Sequence, residues 1–289
     1  MMINGCTTWL VFNSASGSND ADVQAELSAA LASAGCRIDR TLFFPDDDAP
    51  GAQELRDSGV EMVAVFAGDG TVSAVVTKLF GWEGAILVLP GGTMNLLARR
   101  LHGEASQIEI VERLQGAAGR KVRPQIIGTG HGHALTGVLA GPGTAWNDVR
   151  EAMREVAVPE MVSAVTEAIG ESVGGAKVLC NRPSCGREEG YAAIMISPEA
   201  GGLEVRGYDA QRLSDYAAQT IALLLGDFRD GPNEVLGVYD QVELACREGE
   251  AMDLLIDGEP CRGDAAETFS LIRCGVDLLA TVDADVDAG

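Results

Sequence analysis

The chain has 289 residues, enough for two domains that each bury a hydrophobic core; 46% are hydrophobic and 22% are charged, as in globular proteins. Its formal net charge of -22 repels polyanions, so the composition argues against nucleic acid as a partner. No apolar run is long enough to span a bilayer, and no basic leader precedes a hydrophobic segment, so we expect a cytoplasmic protein.

The first third of the chain alternates short apolar runs with amphipathic stretches, which is typical of a βαβ sheet. Helical spacing of apolar residues follows the first strand, and further helices are expected to begin near Thr71 and Asn95. Ser106 and Glu109 fit a capping box that opens another helix. The pattern predicts an α/β domain over about residues 1–124, with strands at 8–13, 38–44, 62–67 and 85–89.

From about Gly130 the sequence changes to apolar runs separated by glycines, which favours a mainly β second domain over about residues 125–289. A single helical region is predicted at 147–169. The predicted strands are 134–139, 177–180, 191–196, 235–238, 242–245, 252–256 and 269–273.

The seven cysteines are scattered and lack the paired CxxC spacing of a zinc site. We therefore expect reduced thiols. They are Cys6, Cys36, Cys180, Cys185, Cys246, Cys261 and Cys274.

Two glycine-rich turns each lie between an apolar strand and a helix. The first, Ala-Gly-Asp-Gly-Thr at 67–71, follows MVAVFA, and the second, Leu-Pro-Gly-Gly-Thr-Met-Asn at 89–95, follows AILVL. A turn of this kind presents backbone N–H groups and a helix N-terminus to an anion, so phosphate is the expected ligand. A structural turn is the alternative for each, but two on neighbouring strands would converge at the carboxyl edge of one sheet, where α/β proteins bind ligands.

These turns closely resemble the catalytic domain of diacylglycerol kinases, sphingosine kinases and bacterial YegS-like lipid kinases. The segment Asn-Ser-Ala-Ser-Gly at 13–17 resembles that family's Asn-Pro-x-Ser-Gly loop, and Asp-Gly-Glu at 257–259 resembles a motif that its second domain sends into the cleft. The sequence departs from the family at Ser14, where Pro is usual, and at Ala67, where most members have Gly. The resemblance implies a Rossmann-like domain followed by a β-sandwich-like domain.

The resemblance also implies which residues bind the cofactors, ATP and Mg²⁺. The residues expected to bind nucleotide are Asn13, Gly17, Gly68, Asp69, Gly70, Thr71, Gly91, Gly92, Thr93, Asn95 and Glu259. Mg²⁺, which prefers oxygen ligands, would be held through Asp69 and Glu259.

Phosphoryl transfer also needs a carboxylate that accepts the proton of the attacked hydroxyl. Asp257 is the expected base, and Asp69 is the alternative. Asp-Gly is also a strong signal for a hairpin turn, so a purely structural role for 257–259 stays open.

The function expected from this resemblance is an ATP-dependent lipid kinase that phosphorylates diacylglycerol or a related lipid at the inner face of the membrane. Arg120, Lys121 and Arg123 form a basic cluster that could face lipid headgroups. An NAD kinase-like enzyme shares the Gly-Asp-Gly loop, and a degenerate protein that binds nucleotide or lipid without turnover is a further alternative. The sequence does not identify the lipid or the oligomeric state, for which a homodimer is one option.

Overall fold

The computed structural model describes residues 3–13, 21–92, 94–116, 119–142, 177–199, 201–208 and 233–282. The chain divides into two compact units. The first comprises Met1–Gln125 together with Arg273–Gly289, and the second comprises Ile126–Ile272. The predicted range 125–289 therefore differs from the second unit at its C-terminal end, because the chain returns to the first unit there.

The first unit contains a six-stranded sheet in the order β2-β1-β3-β4-β17-β5. Neighbouring strands from β2 to β17 are parallel, whereas β5 pairs with β17 antiparallel. Its strands are β1 (Thr7–Asn13), β2 (Arg37–Phe44), β3 (Met62–Ala67), β4 (Ala85–Pro90), β5 (Arg120–Val122) and β17 (Asp277–Ala280). Its helices are α1 (Ala21–Ser33), α2 (Ala52–Asp57), α3 (Asp69–Lys78), α4 (Leu96–His102) and α5 (Gln107–Gln115).

The central strands of this sheet are buried on both faces, as parallel sheets generally are. Ala64 and Phe66 in β3 belong to a core cluster with residues of α1 and α5. Val63 and Val65, whose side chains alternate to the opposite face, are also fully buried. This burial explains why the apolar runs of the sequence were continuous.

The predicted α/β domain with a parallel sheet is confirmed. The predicted capping box is also present, since Ser106 Oγ accepts a hydrogen bond from the Glu109 amide and the Glu109 carboxylate accepts one from the Ser106 amide. Three elements of this unit were not predicted. These are the short helix α2 and the strands β5 and β17.

The second unit consists mostly of antiparallel strands in two sheets, as the sequence predicted. One sheet has the order β12-β11-β10-β8-β14-β15 and the other β7-β6-β16-β13-β9, and buried residues from both form one core cluster. The strands are β6 (Gln125–Thr129), β7 (Gly132–Ala134), β8 (Val138–Pro142), β9 (Val178–Arg182), β10 (Ala193–Glu199), β11 (Gly202–Tyr208), β12 (Glu234–Tyr239), β13 (Gln241–Cys246), β14 (Met252–Ile256), β15 (Glu259–Arg262) and β16 (Ala266–Arg273).

One predicted strand of this unit, 134–139, is wrong. The chain forms β7 and β8 with a turn at residues 135–137 between them, because the amides of that turn bind a side chain from another hairpin. The predicted helix at 147–169 lies outside the described residues.

The prediction that all seven cysteines are reduced is also wrong, since Cys180 and Cys185 form a disulfide. An isolated β-bridge places their Cα atoms 5.5 Å apart, a spacing that suits this bond. The other five cysteines form no disulfide. Among the described helices, none is long and apolar enough to cross a membrane.

Candidate functional site

The carboxyl ends of β1, β3 and β4 lie side by side in the first unit. Residues of β1 and β3 pair in parallel up to Phe12 and Phe66, and Ala67 at the end of β3 pairs with Pro90 of β4. The side-chain amide of Asn13, the last residue of β1, donates a hydrogen bond of 3.0 Å to the Thr71 hydroxyl. The end of β1 is thereby bound to the turn after β3.

The turn after β3 leads directly into helix α3, with Gly68 as the N-cap residue. Glycine has no side chain that could cap the helix, and a helix N-terminus of this kind favours an anionic ligand. The positive end of the helix dipole adds to this preference for an anion. Asp69 occupies the first turn of α3 and is half-buried.

The second turn packs against the first through glycine backbones. A β-carbon at Gly91 would lie 2.6 Å from the backbone nitrogen of Ala67, and one at Gly92 would lie 2.5 Å from the Cα of Gly68. Real side chains do not tolerate such distances. The two turns are therefore in contact, and only glycine fits at residues 91 and 92 without a shift of the neighbouring turn.

Asn95 holds the second turn in shape. Its side-chain oxygen accepts a hydrogen bond of 2.7 Å from the Gly92 amide, and its side-chain nitrogen donates one of 2.8 Å to the Gly92 carbonyl. Asn95 has a left-handed backbone with a φ of 52°, which asparagine tolerates better than most residues. Asn95 is also the N-cap residue of α4.

The structure thus brings several predicted nucleotide-binding residues together at one edge of the sheet. The residues joined by these contacts are Asn13, Thr71, Gly68, Gly91, Gly92 and Asn95, with Asp69 and Gly70 between two of them in sequence. Gly17 and Thr93 lie outside the described residues.

The predicted residues Asp257 and Glu259 belong to the second unit. Ile256 pairs with Glu259, so Asp257 and Gly258 form a two-residue hairpin turn between β14 and β15. Both turn residues have positive φ, 50° and 85°, which is typical of a type I′ hairpin. Glu259 is exposed at the start of β15.

The Asp257 side chain is only 6% exposed and is bound by the turn at residues 135–137. Its Oδ2 accepts a hydrogen bond of 2.7 Å from the Leu135 amide. Its Oδ1 accepts bonds from the Thr136 amide at 2.8 Å, the Thr136 hydroxyl at 2.7 Å and the Gly137 amide at 3.2 Å. Sequence reasoning missed these partners, although the Thr-Gly pair inside an apolar run was a signal for a break.

No group of three or more His, Cys, Asp or Glu side chains among the described residues forms a ready-made metal site. Mg²⁺ is commonly bound by one or two carboxylates together with substrate phosphates and water, so the carboxylates of Asp69 and Glu259 have chemistry that suits it.

The basic cluster at residues 120–123 is largely engaged in holding the returning end of the chain. Arg123 Nε lies 2.6 Å and Lys121 Nζ 3.6 Å from the carboxylate of Asp277, which begins β17. Arg120 donates a hydrogen bond of 3.1 Å to the Val282 carbonyl. These contacts give the cluster a structural role in the first unit.

His102, at the end of α4, is fully buried next to the same returning segment. Its Nδ1 lies 3.0 Å from the Thr281 hydroxyl. Burial lowers the pKa of His102 from its ordinary 6.5 to about 4, because the charged ring would lose its hydration, and the carbonyl of Val88 offsets only part of this effect. The ring is therefore neutral at pH 7.

Comparisons with known proteins agree with this architecture. The chain is similar to the structure of a diacylglycerol kinase from Bacillus anthracis str. Sterne, at 14% identity and a TM-score of 0.59, over 95% of this chain and 96% of that one. A second structure from the same organism, provisionally named a diacylglycerol kinase, aligns at 13% identity with a TM-score of 0.60 over 96% and 97% of the two chains. At such low identity these likenesses show the fold.

A search of curated proteins gave no match. The sequence of residues 7–129 matches the family described as the diacylglycerol kinase catalytic domain. This segment contains β1, β3 and β4 with both glycine-rich turns, so the match covers the contacts between those turns. Residues 7–129 therefore belong to the diacylglycerol kinase catalytic domain family.

Proposed function

We propose that this protein is a lipid kinase that transfers the γ-phosphoryl group of ATP to a hydroxyl of diacylglycerol or a related lipid. The observation that carries this proposal is the packing of Gly92 against Gly68, which joins two glycine-rich turns at the carboxyl edge of a parallel sheet. A sheet edge of this kind is where α/β proteins bind nucleotides, and family membership of residues 7–129 supports a phosphotransferase.

The hydrogen-bond donors at this edge of the sheet suit the phosphates of ATP. The first-turn amides of α3, which Gly68 leaves uncapped, suit phosphate oxygens. A β-carbon at Gly68 would lie 3.6 Å from Gly92 Cα, an ordinary contact, so the atoms of the described residues around it do not explain why residue 68 is glycine. Close approach of a ligand to the backbone would explain it.

Mg²⁺, held by Asp69 together with the phosphates, would neutralise charge that builds up on the transferred group. This pairing also gives a reason for a carboxylate in the first turn of α3, where Asp69 alone would repel phosphate. The residues of this chain bind, orient and screen the reacting groups, and one of its carboxylates accepts the hydroxyl proton.

Asp69 is the better proton acceptor of the two carboxylates that the sequence suggested. Both oxygens of Asp257 already accept hydrogen bonds within the protein, from Leu135 to Gly137. Asp69 follows the uncapped turn directly, at the edge where the phosphates are expected. We therefore assign Asp69 as the base.

A lipid acceptor places the enzyme at a membrane surface, and we propose peripheral binding at the inner face. The net charge of -22 opposes approach to anionic bilayers, so the encounter depends on apolar contact and on screening by salt.

The test is a phosphorylation screen with radiolabelled ATP and Mg²⁺. The acceptors are diacylglycerol, phosphatidylglycerol, ceramide and sphingoid bases in mixed micelles, with NAD as the competing acceptor. Labelled lipid is the expected product. Labelled NADP would establish an NAD kinase instead, and ATP binding with no labelled product would identify a protein that binds nucleotide without turnover.

A further inference from the structure

Asp257 provides a carboxylate that receives hydrogen bonds from three consecutive amides. The Leu135, Thr136 and Gly137 N–H groups donate to it at 2.7, 2.8 and 3.2 Å, and the Thr136 hydroxyl adds a fourth bond at 2.7 Å. In return, the Asp257 amide donates a bond of 3.0 Å to the Gly137 carbonyl. The tip of the β14–β15 hairpin is thus bound to the β7–β8 turn.

Leaving any of these buried groups without its hydrogen bond would cost free energy of folding. Leu135 is 1% exposed and Asp257 is 6% exposed, so an unpaired amide or carboxylate here would be desolvated without compensation. Gly137 packs closely against β10, since a β-carbon on it would lie 2.7 Å from the terminal methyl of Met195 and 3.3 Å from the Ile196 carbonyl oxygen. The hairpin tip and the turn therefore fix each other.

Glu259 begins β15 only two residues after Asp257, and Ile256 pairs with it across the hairpin. Glu259 is exposed, so the β-ladder and the hairpin tip, rather than burial, determine where its carboxylate is held. Anchoring the tip limits the range of positions that Glu259 can reach.

We propose that Asp257 is a positioning residue, whose carboxylate anchors the Asp-Gly-Glu hairpin on the amides of residues 135–137 and so presents Glu259 for its role. Asp257 then takes no proton from the substrate. The anchoring rests on the hydrogen bonds alone, whereas the consequence for catalysis rests on the proposed function.

Two substitutions remove the Asp257 carboxylate without changing the backbone conformation at residue 257. Asn and Gly both tolerate the positive φ of residue 257, so neither Asp257→Asn nor Asp257→Gly introduces backbone strain. Asn keeps one oxygen, which can serve the Thr136 and Gly137 donors, whereas Gly keeps none. Glu259→Gln is the matched control for amide exchange, since it changes a carboxylate of the same hairpin that does not receive these bonds.

The primary readout is hydrogen exchange of the amides of residues 135–137 in the full chain, which needs no substrate. Asp257→Gly is expected to speed their exchange by about tenfold or more, with a smaller effect for Asp257→Asn and none for Glu259→Gln. Formate, which can occupy the vacated carboxylate position, should restore protection to Asp257→Gly, whereas neutral formamide should not. Unchanged exchange in Asp257→Gly would overturn the anchor.

If Asp257→Gly does not fold, Thr136→Val provides the second test. It removes one donor while keeping the shape of the side chain, so it should speed the exchange of the amides of residues 135–137, as Glu259→Gln should not. Wild-type exchange in Thr136→Val would contradict the anchor.

Turnover with ATP and the lipid identified in the screen then tests the positioning role. Asp257→Asn should retain kcat within about tenfold of wild type, because one oxygen still anchors the hairpin, and formate should raise the kcat of Asp257→Gly. A loss of about 10²–10⁴ in Asp257→Asn with protected amides would assign the proton transfer to Asp257 and overturn the proposal. If the wild type phosphorylates no lipid, the proposed function fails while the exchange data still decide the anchor.

Discussion

Gly92 and Gly68 lie so close that a β-carbon on Gly92 would meet the Cα of Gly68 at 2.5 Å, whereas a β-carbon on Gly68 would meet the Cα of Gly92 at 3.6 Å. The two positions therefore differ in how well they tolerate a side chain. The turns can accept a methyl group at residue 68 but not at residue 92. A substitution at residue 68 therefore tests ligand binding without disturbing the packing of the turns.

Gly92→Val should disrupt both the packing of the turns and nucleotide binding. The new side chain pushes against the backbone of residue 68, so we expect a loss of about 1–3 kcal/mol in unfolding free energy, measured with urea, and weaker Mg-ATP binding by calorimetry. A folded Gly92→Val protein with wild-type nucleotide affinity would exclude this phosphate-binding arrangement.

Gly68→Ala should weaken Mg-ATP binding while leaving the free energy of unfolding within about 0.5 kcal/mol of wild type, because the protein has room for the methyl group but a ligand on the turn does not. Calorimetry and urea unfolding on the same preparation measure the two effects. Equal affinity in Gly68→Ala and wild type would place the phosphates elsewhere.

Asn95→Asp and Asn95→Gly should destabilise the second turn to different degrees. Both residues tolerate the left-handed backbone, but Asp keeps the acceptor for the Gly92 amide and Gly loses both hydrogen bonds. We expect the larger loss for Gly, about 1–3 kcal/mol of unfolding free energy. The reverse order in urea unfolding would mean that the side-chain bonds do not hold the turn.

Asp69→Asn should reduce turnover by about 10²–10⁴ if Asp69 accepts the proton. It should also weaken Mg-ATP binding, since the carboxylate is a proposed metal ligand. Asp57→Asn makes the same change of charge on the exposed helix α2 and is the control. Near-normal kcat in Asp69→Asn, with circular dichroism unchanged, would remove Asp69 from the chemistry.

Stability should fall in mild acid because of His102. Its folded-state pKa of about 4 lies below the ordinary 6.5, so the unfolded chain takes up the proton first. The stabilisation is fully present above pH 6.5 and is lost as the pH falls toward 4, by up to about 3 kcal/mol. Urea unfolding at several pH values should give His102→Gln a flatter pH dependence than wild type. Parallel curves would show that His102 titrates normally.

Binding to anionic vesicles should rise from low to moderate salt, because the net charge of -22 repels the surface and salt screens that repulsion. Asp277→Asn removes the carboxylate that pairs with Lys121 and Arg123, so it should increase binding more than Asp57→Asn does. Co-sedimentation measures both effects. A steady decrease of wild-type binding with salt would show that the basic cluster already faces the membrane.

Local patterns in the sequence were enough to predict four strands of the first unit's sheet, β1 to β4, and the turns that carry its candidate site. Continuous apolar runs such as MVAVFA reflect strands buried on both faces, and the glycines between each strand and the following helix indicated the two turns. The capping box at Ser106 is likewise local, since its two hydrogen bonds join residues three positions apart.

Long-range pairing was decided only by the tertiary structure. The segment 134–139 reads as one strand, yet it breaks at 135–137 because its amides bind Asp257, more than a hundred residues later in the chain. Strand β17 joins the first sheet from the far end of the chain, and the Cys180–Cys185 bond depends on a β-bridge. Composition and periodicity describe what a segment buries, but which distant group satisfies its hydrogen bonds is fixed only when the chain has folded.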